Sequence, residues 1–152
     1  MKTKDVEQGC LRARADLAMA ESYGTAVTSL VPIAVTTCAP FNMMLAHALE
    51  LSLKAVLAHA GEEERLMTRG HDLGGCYERA CAIGLTGAAA DQVAAIVECL
   101  GGPHRDQRFR YPGFPVRALD VSPTDAAATL SSHLRDVGHL LAREVSRGAT
   151  VE

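Results

Sequence analysis

Between Pro40 and Gly61 lies a helix-length segment with almost no polar side. From Met43 to Ala58 the exceptions are His47, Glu50, Ser52 and Lys54. A helix that is apolar nearly all round has to be covered on every side, so its place is the centre of a bundle. Pro near the first turn and Gly just past the last are the expected signals for its two ends. His47, Glu50 and Lys54 follow one another by steps of three and four, so they share one face. The chain is therefore expected to be all-α, with a polar stripe on its central helix.

The remaining segments supply the covering helices. Val6 to Tyr23 is amphipathic, with Cys10, Leu11, Leu17 and Ala18 set among Arg12, Arg14, Asp16 and Glu21. Gly24 and the β-branched run through Thr37 weaken the signal, and Pro32 interrupts it, so an extension of the first helix and then a connection are expected. Glu62-Glu63-Glu64 and Arg65 to Gly70 read as a charged connection. A helix then opens with Asp72 or His71 near its cap, buries Leu73, Cys76, Tyr77, Ala80 and Cys81, and ends at Gly84 or Gly87. Ala88 to Leu100 forms another helix, which Gly101-Gly102-Pro103 is expected to stop. His104 then begins an exposed turn, and a basic, extended stretch with turns at Pro112-Gly113 and Pro115 leads to Pro123. The last helix starts with Ser122-Pro123, carries Leu130, Leu134, Val137, Leu141 and Val145 at helical spacing, and ends at Gly148. About five helices in one up-and-down bundle, a single domain over 1–152, is the expected architecture. Aromatic residues are only 4% of the chain, so aliphatic side chains must fill the core.

A formal charge of −3 argues against a broad nucleic-acid or anionic-membrane footprint and leaves room for a local cationic patch. Pro32 and Pro40 interrupt the longest weakly charged stretch, Ser22 to Ala46, so no membrane span is expected. The N-terminus leads into a charged amphipathic segment instead of an apolar signal core, which points to the cytoplasm. An odd count of five cysteines fits reduced, buried thiols. No phosphate loop, dinucleotide fingerprint, metal triad or nucleophile elbow can be read from the spacings, so no cofactor and no metal are expected.

Three pieces occur in order: His47-Ala-Leu-Glu50-Leu-Ser-Leu-Lys54-Ala; Gly70-His71-Asp72-Leu73 with Ala80 and Gly84-Leu85; and His104 with Arg108-Phe109-Arg110-Tyr111-Pro112. With these separations the chain resembles the HEPN-like family of small helical proteins over about residues 40–112. Many members of that family are ribonucleases, or toxins paired with a nucleotidyltransferase antitoxin, and they usually act as dimers. The resemblance thus implies an RNA-related role, a homodimer and a possible antitoxin partner. The family's ribonuclease signature is an Arg and a His on a late helix, separated by four to six residues. Here Arg135 and His139 stand closest to it, with three residues between them. They would still share a helical face, His moving the 2′-hydroxyl proton and Arg holding phosphate charge without a metal.

Physical chemistry adds two candidates. Glu50 and Lys54 on an apolar helix are costly if buried unpaired, so His47, His71, Asp72, Arg110 and Tyr111 are expected to join them in an internal polar network. The competing reading is a solvated Glu50–Lys54 helix pair. Arg105, Arg108 and Arg110, with Arg117, either bind phosphate or form a solvated loop. Three functions follow: a module that binds RNA or a nucleotide without strong catalysis; a metal-independent ribonuclease or toxin using Arg135 and His139; and an accessory interaction protein that binds a partner chain.

Overall fold

The computed structural model describes residues 3–35, 38–62, 70–111 and 118–148. Among them are five α-helices and no strand: α1 (Thr3–Leu30), α2 (Ala39–His59), α3 (Leu73–Ala82), α4 (Ala90–Arg105) and α5 (Pro123–Gly148). Short 3₁₀ turns follow α1 at Val31–Ile33 and α4 at Arg108–Arg110. The central position expected for the apolar helix is where α2 lies: it packs against all four other helices, most extensively against α1. Phe41, Leu45, Leu49, Leu53 and Leu57 form its fully buried ridge, and Leu73, Leu100 and Leu130 close in from α3, α4 and α5. By length and composition α2 is apolar enough to cross a membrane, but the other helices cover 72% of its most apolar window.

The helix ends follow from local chemistry. Gly61 adopts φ +77°, and the amides of Gly61 and Glu62 return to the carbonyls of Ala58 and Leu57. That left-handed cap satisfies two orphan carbonyls of α2. Gly84 repeats the device after α3, with its own amide on Cys81 and that of Leu85 on Ala80. Asp72 caps α3 by accepting from the Gly75 amide at 3.1 Å. Ser122 caps α5 by accepting from the Asp125 amide at 3.0 Å, while its hydroxyl donates to the Asp125 carboxylate at 2.8 Å.

α1 extends through Gly24 to Leu30, as expected, and Gly24 is a packing position: a Cβ there would lie 3.0 Å from Leu134 Cδ1 of α5. One boundary differs from expectation. α4 does not stop at Gly101-Gly102-Pro103 but continues to Arg105. Pro103 has no amide to give the Cys99 carbonyl, so one ladder bond is lost, and the end closes beyond it through the Asp106 amide on Gly102 and the Gln107 amide on His104. Beyond it, His104 is anchored inside the bundle, at 7% exposure, and is not in an exposed turn. Several expected features lie outside the described residues: Glu63, Glu64 and Arg65 of the charged connection, the turns at Pro112-Gly113 and Pro115, and Arg117. The same holds for the side chain of Val145. All five cysteines are reduced thiols; Cys76 and Cys99 are buried, whereas Cys81 is exposed.

Candidate functional site

The polar face of α2 becomes the centre of a buried cluster. Glu50 is 2% exposed, held at mid-helix among leucines. Such a carboxylate has to find donors, and it finds them on three elements. Lys54, one turn along α2, donates to Oε1. His71, from the turn before α3, places Nδ1 at 3.1 Å from Oε2. His104, from the end of α4, places Nε2 at 2.5 Å from the same oxygen. His47 stands one turn earlier on α2, its Nδ1 3.9 Å from Oε2. The rings pack on each other: His71 and His104 meet edge to face at 5.3 Å, and Tyr23 of α1 meets His47 likewise at 4.6 Å.

This arrangement fixes the charge of the cluster. Burial by itself raises the Glu50 carboxyl pKa, but the bonds from His104, Lys54 and His71 outweigh it and hold the group well below the usual carboxylate range. Glu50 is therefore an anion throughout the physiological range. The His47 pKa is lowered as well. Burial favours its neutral form, and the attraction of Glu50 only partly offsets that.

Beside the cluster opens a cavity of about 90 Å³ lined by Tyr23, Met43, Met44, His47, His71, His104, Gln107, Phe109 and Arg110. It has the composition of a ligand site: rings and thioethers for contact area, with several polar groups converging on one side. His47, Glu50 and His104 also bring one donor atom each to within 4.8 Å of one another, a set that could hold a metal ion. No spacing in the sequence displays the full set: His47 and Glu50 share a face of α2, but His104 comes from the end of α4, 54 residues beyond Glu50.

The structure sorts the candidate residues into groups. His47, Glu50, Lys54 and His71 come together as expected, and a buried network replaces the alternative of a solvated Glu50–Lys54 pair. Asp72 does not hydrogen-bond Glu50 but caps α3. Arg110 is at the cavity rim, and Tyr111, 60% exposed, points away from the core. Arg105 and Arg108 both face Asp106, at 3.6 Å and 3.3 Å, so an acid sits within the expected phosphate cluster. Arg135 and His139 are exposed on α5, and among the described residues no hydrogen bond or ion pair ties either to Glu50.

Three features were not anticipated. His104 belongs to the network, although read as a turn residue. Its signal was present: Val93, Val97, Leu100 and His104 keep helical spacing if α4 is allowed to run through Pro103. Tyr23, Met43 and Met44 line the cavity beside Phe109, and nothing in the sequence marks these three out from ordinary packing residues. His133, which no motif in the sequence singles out, is 3% exposed. Its Nε2 lies 2.8 Å from Ser52 Oγ, and that hydroxyl also lies 2.8 Å from the Leu49 carbonyl. Ser52 Oγ thus sits between the Leu49 carbonyl and His133 Nε2, and the direction of the His133–Ser52 bond follows the ring tautomer. Burial lowers its pKa to about 4, against a small opposing effect of Asp136.

Compared with models of known protein families, with curated proteins and with solved structures, the chain matches none.

Proposed function

We propose that this chain is a helical module that binds a nucleotide, or the phosphates of RNA, in the histidine-lined cleft, without strong catalysis of its own. The observation that carries the reading is the lining of that cleft. Imidazoles of His47, His71 and His104 and the guanidinium of Arg110 converge beside Tyr23 and Phe109. Imidazole and guanidinium donate to phosphate oxygens, and rings offer a face to a base. The remainder of a chain with formal charge −3 gives no competing broad cationic surface. Its resemblance to HEPN-like domains supports an RNA-related ligand and a homodimer, with a nucleotidyltransferase antitoxin as a possible partner.

The test is calorimetric titration with nucleoside mono- and diphosphates and a short single-stranded RNA, all in EDTA. Binding that weakens about tenfold in Arg110→Ala, a loss of about 1.4 kcal/mol, supports the cleft. Equal affinity in wild type and variant overturns it. Purified protein is also informative before any titration, since the chain has no Trp and three Tyr and bound nucleotide would dominate its ultraviolet absorbance.

One feature favours the ribonuclease as a second reading. Arg135 and His139 are both exposed and one turn apart on α5, available to a substrate or to a second copy. Mixed single-stranded RNA incubated in EDTA with the wild type and with an Arg135→Ala/His139→Ala variant decides it. Cleavage by the wild type alone supports the nuclease, and intact RNA with both removes it for that substrate.

A further inference from the structure

Three donors surround one oxygen. Glu50 Oε2 has His104 Nε2 at 2.5 Å, His71 Nδ1 at 3.1 Å and His47 Nδ1 at 3.9 Å. Around a tetrahedral zinc ion with bonds of about 2.0–2.1 Å, neighbouring ligand atoms stand about 3.3 Å apart. The Glu50–His104 and Glu50–His47 separations bracket that value, and all three ligand atoms lie within 4.8 Å of one another. Side-chain adjustments on the order of an ångström would open room for an ion between them. We propose that His47 Nδ1, His104 Nε2 and Glu50 Oε2 bind one divalent transition-metal ion of the zinc class, with the fourth position facing the cleft beside His71.

Four further observations bear on the site. His47, Glu50 and His104 hold their donor atoms within 4.8 Å of one another, and Glu50 and His104 are buried. The ligands leave the backbone from α2 and from the end of α4, elements the bundle holds rigid, which is how a preformed site is built. Lys54 donates to the other carboxylate oxygen, Oε1, and so aims Oε2 at the histidines. A hydrogen bond to a ligating carboxylate is the usual outer support of a metal ligand. Two imidazoles with one carboxylate also form a donor set suited to zinc, cobalt or nickel and poor for magnesium or calcium, which prefer oxygen. An ion there would present an open coordination site to whatever the cleft holds, so the inference stands without the nucleotide reading and would extend it if both hold.

To bind, His104 must present Nε2 as a lone pair, which in the neutral ring moves its proton to Nδ1. The hydrogen bond to Glu50 is exchanged for a shared ion.

The experiment uses the full chain, stripped with chelator and titrated with Co(II) under reducing conditions. One equivalent per chain is expected, with intense visible d–d bands of a four-coordinate ion. Five thiols compete for cobalt, so the near-ultraviolet is read as well, and the absence of sulfur charge-transfer is expected. His47→Ala and His104→Ala should each lower affinity tenfold or more, whereas His139→Ala on α5 should not change it. Because His104 also braces Glu50, each variant's fold is checked by circular dichroism. X-ray absorption on the wild type supplies a reading that needs no variant, with imidazole nitrogen and oxygen neighbours expected. Sulfur in that shell, unchanged affinity in folded His47→Ala, or no stoichiometric binding overturns the proposal. Titrating nucleotide in EDTA separates its failure from that of the nucleotide reading.

Discussion

Acidification should destabilise this protein well before its carboxylates protonate, and His133 is the reason. The ring is 3% exposed, and its Nε2 lies 2.8 Å from Ser52 Oγ. Burial takes its pKa from 6.5 to about 4. Between those values the folded chain binds fewer protons than the unfolded chain, so stability rises with pH across the window and falls as the solution is acidified. The full difference of about 2.5 units corresponds to about 3 kcal/mol, of which about 2 kcal/mol is lost by pH 5. His47, whose pKa is also lowered by burial, acts in the same direction. A variant that cannot titrate isolates the His133 part. In His133→Gln the amide nitrogen reaches about as far as Nε2 and can also hydrogen-bond Ser52. Urea unfolding followed by circular dichroism at several pH values between 7 and 4.5 is the assay. At neutral pH the variant is expected to be less stable by about 1–3 kcal/mol. That gap should close as pH falls, because only the wild type loses the His133 contribution. Parallel curves for the two proteins would refute the reasoning.

The other expectations concern the cluster, a helix contact and a cap. Glu50→Leu leaves Lys54, His71 and His104 without their buried acceptor and should cost about 3–5 kcal/mol in chemical unfolding. For the wild type the depressed Glu50 pKa stabilises the fold above about 4.5, and that part is lost as pH falls below it, a separate and more acidic phase than that of His133. Gly24→Leu would drive a side chain into Leu134 at the α1–α5 contact and should destabilise by about 1–3 kcal/mol in the same assay. Asp72→Ala removes the acceptor of the Gly75 amide and should cost about 1 kcal/mol, without altering ligand binding in the cleft.

Much of the fold was legible because α2 is unusual. A helix with apolar residues on nearly every side has one physical home, and the Pro40 and Gly61 punctuation marks its ends. The stripe of His47, Glu50 and Lys54 was equally visible, since helical spacing alone puts the three together. What periodicity did not convey was which side chains arrive from elsewhere. His71 came from a turn that its Gly-His-Asp-Leu context marked. His104 was hidden behind Gly101-Gly102-Pro103, because local propensity argues for a stop where a tertiary anchor overrides it. His133 carries no local signal, because Ser52, its partner on α2, is 81 residues away in sequence. Arg110 and Tyr111 were expected inside the network from their motif. The network closes without them, since Lys54, His71 and His104 already supply both oxygens of Glu50.

The most direct test of the proposed binding role follows the imidazole signals of His47, His71 and His104 by NMR while a mononucleotide is added in EDTA. All three should shift together and saturate with one ligand, while those of His133 and His139 stay still. Saturable binding that leaves the three cleft histidines unmoved, or no binding of any nucleotide or RNA, would contradict it.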